Sequence, residues 1–154
     1  MKIRKAEKGD ITFLFDLRND PEVRQASFRT EPLDTEAHKE WFNKKLSDPN
    51  TSILIAEDDN AKIAQIRFEL DRKMSVAEVS IAVVRACRGK GYGTKILAMG
   101  CTYIFRNFGI KKIIGHIKTE NKVSINTFSG AGFVNYGHVK YLNHDCIQMC
   151  LEKK

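Results

Sequence analysis

No apolar run in the 154-residue sequence approaches the roughly 20 residues that a membrane-spanning helix needs. The amino terminus, MKIRKAEKGD, has no apolar segment behind its charged residues, so a cytoplasmic protein without a secretory signal is expected. The three prolines and ten glycines are scattered, and neither a linker-like stretch nor an internal repeat is found. We therefore expect one domain over residues 1–154, with no membrane partner.

The four cysteines form no C-x-x-C pair, and none has a histidine at zinc-finger spacing. Cys101 lies in an apolar helical pattern, which is typical of a buried thiol. Cys146 and Cys150 have only His138 and His144 nearby, and these four residues show no compact ligand spacing. We expect no metal site.

Positive charge is in excess, with 26 Lys and Arg against 19 Asp and Glu, which gives a net charge of +7. Such a surplus indicates an anionic partner, either a nucleic acid or a phosphorylated small molecule. The basic residues are spread along the chain, and no block of five or more like charges occurs. A local cluster beside a glycine-rich loop is the stronger signal, so we expect a phosphorylated ligand and no nucleic acid.

Apolar periodicity predicts an α+β fold, an α/β sandwich around one mixed sheet. Strands are expected at residues 2–5, 52–57, 61–70, 75–84 and 112–117, and in one or two final runs that include 145–151. Helices are expected after Gly9-Asp10, from Asp34 or Thr35 to Asp48, over about 14 residues after Gly93, and over 121–130. The strands before residue 84 follow one another with short loops, which predicts an antiparallel meander.

The segment Arg85-Ala86-Cys87-Arg88-Gly89-Lys90-Gly91-Tyr92-Gly93-Thr94-Lys95 joins a predicted strand to a predicted helix. Its glycines remove side chains where the main chain can approach a ligand, and the helix start offers unpaired N–H groups and a positive dipole end. It matches neither G-x-G-x-x-G nor the Walker pattern, and a turn that merely lets the helix pack closely is the structural alternative. The four basic residues within these eleven positions favour a pyrophosphate site.

At these residues the sequence resembles the GNAT acetyltransferases. Arg88-Gly89-Lys90-Gly91-Tyr92-Gly93 matches their acyl-CoA-binding signature, [QR]-x-x-G-x-[GA]. A second signature, in which an Asn opens a helix that ends just before a Gly-Phe pair, is matched by Asn121, Ser124, Asn126, Phe128 and Gly132-Phe133. The resemblance covers nearly the whole chain, because the order of elements also agrees. It implies a mostly antiparallel mixed sheet flanked by helices, and acetyl transfer from acetyl-CoA to a primary amine.

The resemblance also implies where acetyl-CoA would bind. The main chain around Ile81 and Val83 would pair with the pantetheine arm, as a peptide pairs with a sheet edge. The pyrophosphate would meet the amides of Arg88, Gly89, Lys90, Gly91, Tyr92, Gly93 and Thr94. Asn121, Asn126 and Phe128 would line the other side of the arm.

Acetyl transfer requires a neutral amine, so a base is useful at pH 7. Glu78 resembles in position the strand glutamate that some family members use, although a solvated carboxylate is an equal alternative. Further candidates are Glu69, His116 and Glu120. Many relatives place a proton-donating Tyr where this sequence has Phe128. Tyr136 is therefore proposed as the acid, with Tyr141 or solvent as alternatives.

The acceptor is expected to meet the first third of the chain. Residues 17–24 and the segment from His38 to Phe42 resemble N-acetyltransferases that modify nucleotide-linked 4-amino-6-deoxy sugars, and less closely the ribosomal-protein N-terminal acetyltransferases. In the first case Arg18, Arg24 and Arg29 would meet a diphosphate, while Trp41 is expected in the core. Polyamine acetylation and a non-catalytic acyl-CoA-binding module stay open as alternatives. Oligomeric state also stays open, with a homodimer as one option.

Overall fold

The computed structural model describes all residues, 1–154. Seven strands are present: β1 Lys2–Lys5, β2 Thr51–Asp58, β3 Ala61–Asp71, β4 Val76–Val83, β5 Lys112–Lys118, β6 Val134–Tyr141 and β7 His144–Glu152. Five α-helices are present: α1 Ile11–Asn19, α2 Pro21–Ala26, α3 Thr35–Ser47, α4 Tyr92–Asn107 and α5 Lys122–Gly130. Each predicted strand and helix therefore exists, with ends that differ from the prediction by a few residues.

The strands form one sheet in the order β1-β2-β3-β4-β5-β7-β6. All neighbouring pairs are antiparallel except β4 and β5, which are parallel. The pairing of β4 with β5 extends only from Val76↔Lys112 to Glu78↔Ile114, although both strands continue. The two strands therefore diverge beyond Glu78 and open a fork in the middle of the sheet.

The helix boundaries follow from local chemistry. Asp34 caps α3 by accepting a hydrogen bond from Ala37 N at 2.9 Å. Asp20 separates α1 from α2 and caps α2, with Glu22 N at 2.9 Å and Pro21 at the first helical position. The short α2 was not predicted from the sequence. Beyond α4, Gly109 adopts φ +65°, the left-handed conformation common after a helix end.

The two faces of the sheet carry separate apolar cores. The larger core lies under α4 and α5 and includes Ile66, Phe68, Leu97, Ile104 and Ile113, all at most 1% exposed. The smaller core joins α1 and α3 to β2 through Leu14, Phe42, Ile53 and Ile55. Helices α4 and α5 therefore cover one face of the fork, and the amino-terminal helices cover the other.

The cysteines are all free. Cys101, Cys146 and Cys150 are buried, and burial raises the pKa of Cys101 to about 12. No helix is both long enough and apolar enough to cross a membrane.

Candidate active site

The turn between β4 and α4 presents a run of main-chain donors. None of the amides of residues 89–94 has an acceptor within the protein. Gly89 and Gly91 adopt φ +73° and +82°, and a Cβ at either position would have no atom within 4 Å. Because α4 begins at Tyr92, the positive end of its dipole faces the same space. These residues fit an anionic pyrophosphate, which needs several N–H donors and close approach to the main chain.

The four basic residues of this turn have different partners. Arg85 and Arg88 form ion pairs with carboxylates of α2 and its cap: Arg88 Nη1 lies 3.0 Å from Glu22, and Arg85 Nη2 lies 3.6 Å from Asp20. Lys90 and Lys95 are exposed and form no ion pair. The positive charge available to a phosphate therefore comes from the two lysines.

Arg88 differs from its predicted role. Its amide donates to the carbonyl of Arg85 at 3.2 Å, and its Nε donates to the carbonyl of Val83 at 2.9 Å. Its guanidinium also pairs with Asp20 and Glu22, so the contacts of Arg88 lie within the protein and not toward the ligand space of the turn. Its side chain instead ties the turn to β4 and to the start of α2.

The free edge of β4 lies beside this turn. Val84 N donates to Ile63 O at 2.8 Å, so by alternation the main-chain groups of Ile81 and Val83 point away from β3 and into the fork. The Val83 carbonyl is occupied by Arg88. The polar main-chain groups of Ile81 are available to an extended ligand, whereas Val83 offers only its N–H.

The first turn of α4 is held in place from two sides. The Tyr92 hydroxyl donates to Asp58 at 3.0 Å, and Thr94 Oγ1 donates to the Thr127 carbonyl of α5 at 3.5 Å. A Cβ on Gly93 would lie 3.2 Å from the Thr127 methyl group. The side chains of Tyr92 and Thr94 thus fix the helix start, and only their amides face the ligand space.

The residues of the second signature have mainly structural contacts. Asn121 caps α5 by accepting from Ser124 N at 3.2 Å, whereas Asn126 is exposed and forms no hydrogen bond. Phe128 is 4% exposed and packs edge-on against Phe133 at 4.9 Å. Its ring also covers Gly115 of β5. The burial of Phe128 corrects its assignment as a cleft residue: it belongs to the core.

A polar cluster lies where β4 and β5 part. Glu78 Oε1 is 3.1 Å from His116 Nδ1, and the His116 ring stacks on Tyr141 with centroids 3.9 Å apart. Burial and the nearby Glu78 carboxylate raise the pKa of Tyr141 to about 12, so its hydroxyl keeps its proton. The His116 side chain is 12% exposed and that of Glu78 is 38% exposed, so a ligand can reach the carboxylate.

Tyr136 lies apart from this cluster. Its hydroxyl donates to Glu152 at 3.1 Å, and Lys112 Nζ lies 5.1 Å from its ring, at the beginning of β5. The tyrosine that meets Glu78 and His116 is Tyr141, which the sequence analysis kept only as an alternative. The structure therefore does not bring Tyr136 to the predicted base.

The face of the fork under the amino-terminal helices carries two arginines. Arg18 of α1 and Arg67 of β3 lie 3.9 and 5.2 Å from the Trp41 ring of α3. Trp41 is only half-buried, so the prediction that it lies in the core holds only in part. Arg67 faces Ser80, and Glu69 faces Glu78, across the β3–β4 pair. These arginines and the Glu78 carboxylate therefore share one surface.

His38 packs against the side chains that form this surface. It is 3% exposed and stacks on Trp41 and Phe42. Arg18 Nη1 lies 3.3 Å from His38 Nδ1, and burial together with the Arg18 charge lowers the pKa of His38. A neutral His38 thus accepts the hydrogen bond from Arg18.

The sequence model of the acetyltransferase (GNAT) domain matches residues 1–134. The chain belongs to the GNAT acetyltransferase family. A Bacillus subtilis protein named provisionally as a phosphinothricin acetyltransferase, YwnH, is 33% identical over 143 residues, which are 89% of this acetyltransferase and 86% of YwnH. Spermidine N(1)-acetyltransferase of Vibrio cholerae is 25% identical over 142 residues, 90% of this chain and 82% of that one.

Solved structures share the fold of this acetyltransferase. Spermidine N-acetyltransferase from Vibrio cholerae, in complex with CoA and spermine, superimposes with a TM-score of 0.89 at 24% identity, covering 98% of this chain and 94% of that chain. AAC(6')-Ib in complex with ribostamycin and coenzyme A gives a TM-score of 0.87 at 17% identity, covering 99% and 93%. The predicted fold class and enzyme class, a GNAT-fold N-acetyltransferase, are confirmed.

Two features of the acetyltransferase site escaped the sequence analysis. Gln65 and Arg67 alternate with apolar residues in β3, a period-two signal that places them on the same face as the predicted candidate Glu69. The approach of Tyr141 to His116 has no such signal, because it depends on how the β6–β7 hairpin lies over β5.

Proposed function

We propose that this protein acetylates the primary amine of a small molecule, with Glu78 as the base and His116 as its partner. The co-substrate is acetyl-CoA, as the sequence predicted. The observation that carries the proposal is the Glu78–His116 contact of 3.1 Å at the last paired residue of β4, where the strands part. A reachable carboxylate beside a free strand edge is what amine deprotonation next to a bound thioester requires.

The residues that would hold acetyl-CoA lie on one side of the fork. The amides of residues 89–94 and the ammonium groups of Lys90 and Lys95 are suited to the pyrophosphate, and the main chain of Ile81 to the pantetheine amides. Bound acetyl-CoA supplies an acetyl group as a thioester, which becomes an amide as the C–S bond breaks and the thiol departs. The turn and the strand edge thus orient the co-substrate relative to Glu78.

Glu78 would accept the proton that the amine must lose. A primary amine with a pKa of about 10.4 is mostly protonated at pH 7, and only its neutral form has a lone pair for attack. His116 Nδ1 fixes the Glu78 carboxylate through the 3.1 Å contact. Tyr141 packs on the other side of His116 and holds its ring in place. We assign Tyr141 this positioning role in preference to Tyr136.

Two classes of primary-amine acceptor are compatible with this site. The nucleotide-linked amino sugar predicted from the sequence is one, and Arg18 supports it as a cation on the acceptor face. Of the other predicted arginines, Arg24 donates to the Thr30 carbonyl at 3.5 Å and Arg29 is exposed. A polyamine is the second reading, supported by the similarity to the spermidine enzyme.

Thiol release from acetyl-CoA tests the proposed function. The assay would compare spermidine, an amino-sugar nucleotide, an amino-terminal peptide and an aminoglycoside. Release with at least one amine, lost in Glu78→Gln and retained in the matched variant Glu152→Gln, is expected. Tight CoA binding by calorimetry without release from any amine would instead show an acyl-CoA-binding module.

A further inference from the structure

Two guanidinium groups on the acceptor face lie within 5.2 Å of the Trp41 ring and lack matching carboxylates. Arg18 makes no ion pair, and its only hydrogen-bond partner is His38 Nδ1 at 3.3 Å. Arg67 has one carboxylate near it, with Nε 3.5 Å from Glu69 Oε1. Glu69 is itself shared, because its Oε2 accepts from Lys45 Nζ at 3.2 Å and from the Thr51 hydroxyl at 2.9 Å. The positive charge here exceeds what the protein neutralises.

The two arginines also repel each other. Burial, and then the charges of Arg67 and Arg29, lower the pKa of Arg18 to about 10. Burying like charges together opposes folding unless a partner of opposite sign joins them. The donors of Arg18 and Arg67 that make no hydrogen bond are not fully buried. The Arg67 side chain is 25% exposed, so a ligand can approach it from solvent.

The position of Arg67 connects this charge to the site of acetylation. Arg67 lies opposite Ser80, and Ser80 is two residues along β4 from Glu78, on the same face. Burial lowers the pKa of Arg67, and the charges of Glu69 and Glu78 oppose this shift, which places the Arg67 guanidinium within electrostatic range of Glu78. A ligand that reaches Glu78 with its amine therefore passes beside Arg67.

We propose that the acceptor carries an anion, a carboxylate or a phosphoryl-type group, which Arg18 and Arg67 bind beside Trp41 while the amine faces Glu78. This inference rests on the proposed function and narrows its substrate class. Guanidinium groups bind such anions through paired N–H donors, and stacking on Trp41 holds the two guanidinium groups in position for this binding. A polycation such as spermidine would be repelled by the same pair.

The first test compares amines that differ only in the anion. Glycine, β-alanine, 4-aminobutyrate and 3-aminopropylphosphonate are assayed for thiol release against the corresponding alkylamines, with spermidine and an amino-sugar nucleotide in the same series. We expect at least one anionic amine to exceed its neutral counterpart by about 10- to 100-fold in kcat/KM. A higher kcat/KM for the amino-sugar nucleotide than for the small acids would identify the bound anion as a diphosphate.

Arginine variants test whether these residues carry the preference. Arg67→Gln and Arg18→Gln should raise KM for the anionic amine by about tenfold or more relative to KM for its neutral counterpart. Arg67→Lys should restore part of the preference. Arg72→Gln is the matched control, since Arg72 also stacks on an aromatic ring, Phe108 at 5.5 Å, away from the fork. Equal or better turnover of neutral amines or spermidine would overturn the inference while leaving the proposed function intact.

A binding measurement separates this inference from catalysis. Trp41 is the only tryptophan of the chain, so its fluorescence reports on the space beside both arginines. Titration of the protein with 4-aminobutyrate and 3-aminopropylphosphonate should give a saturable change that Arg18→Gln and Arg67→Gln abolish and Arg72→Gln does not. No saturable change would overturn the anion site. If no amine releases thiol, the proposed function fails, and this titration alone decides the anion site.

Discussion

Glu78 and His116 approach to 3.1 Å across the point where two parallel strands stop pairing. Glu78 is the last residue of β4 that pairs with β5, and His116 lies two residues beyond the last paired residue of β5. Main-chain hydrogen bonds therefore end where a side-chain contact begins. The fork leaves a strand edge free on one side of this contact, and the contact places a carboxylate at its apex.

Replacement of Glu78 by Gln should slow acetylation. A general base contributes about 10²- to 10⁴-fold to rate, and the amide side chain keeps the shape while losing the ability to accept a proton. We expect kcat to fall within that range at pH 7, with partial recovery at higher pH, where more of the amine is already neutral. Thiol release measured from pH 6 to 10 checks both effects.

Tyr136→Phe is the control for this experiment. Its hydroxyl contacts Glu152 and not Glu78, so its removal should leave kcat within about twofold of the parent. Tyr141→Leu removes the ring that stacks on His116 and should lower kcat without changing the affinity for CoA. A large loss in Tyr136→Phe with none in Tyr141→Leu would reverse the assignment of these two residues.

Substitution of Gly91 should weaken CoA binding through the main chain. Gly91 has φ +82° and open space around a Cβ, so a side chain there meets backbone strain and no clash. A turn that relaxes to relieve the strain moves its amides, and binding must restore them at a cost of about 1–3 kcal/mol. We expect Gly91→Val to lose at least about tenfold in affinity and Gly91→Asn less, since Asn tolerates this conformation.

Calorimetric titration with CoA measures these affinities. Gly9→Ala is the matched control, because Gly9 also has open space around a Cβ but no positive φ. Unchanged affinity in Gly91→Val would show that the turn does not need this conformation to bind the coenzyme.

Local signals were sufficient to predict every strand and every α-helix except the short α2. Asp34 and Asn121 cap helices where the sequence placed helix starts, and alternation along β4 separated Glu78 from Val79, which is 5% exposed. The glycines at 89 and 91 also adopt positive φ, as their residue type allows. These features depend on neighbours along the chain, which a single sequence displays.

Contacts between residues that are far apart in the sequence could not be predicted in this way. Arg88 belongs to a basic run in the sequence, but Asp20 and Glu22, more than 60 residues earlier, neutralise it. Tyr136 and Tyr141 look equivalent in sequence, and only the position of the β6–β7 hairpin brings Tyr141 to His116. Phe128 matches a site position of the family by motif, yet its ring fills the space above Gly115.

The contact between Gly115 and Phe128 predicts a stability effect. A Cβ on Gly115 would overlap the Phe128 ring, whose Cζ would lie only 3.1 Å away. Overpacking of a core costs about 1–3 kcal/mol, so Gly115→Ala should lower the free energy of unfolding by that amount. The double variant Gly115→Ala with Phe128→Leu should lose less than the sum of the single changes. Urea denaturation measures all three, and additive losses would argue against the contact.

The burial of His38 predicts that stability falls in mild acid. Its pKa in the folded protein is lowered by burial and by Arg18, below the ordinary value of 6.5 that applies when the chain is unfolded. The unfolded chain therefore binds a proton first as pH falls, so this contribution is complete above pH 6.5 and is lost below it. The pKa of Asp10 is also lowered by Arg4. The stability that this carboxylate contributes is lost only below about pH 4, where Asp10 of the unfolded chain titrates.

Chemical denaturation at pH 7.5 and pH 5.5 isolates the His38 contribution. The parent should have a smaller free energy of unfolding at pH 5.5, and His38→Phe, which preserves the stacking on Phe42, should show less of this difference. His138→Gln is the control, since His138 is exposed on β6 and its removal should leave the difference in place. Equal pH dependence in the parent and in His38→Phe would show that His38 does not titrate as its burial requires.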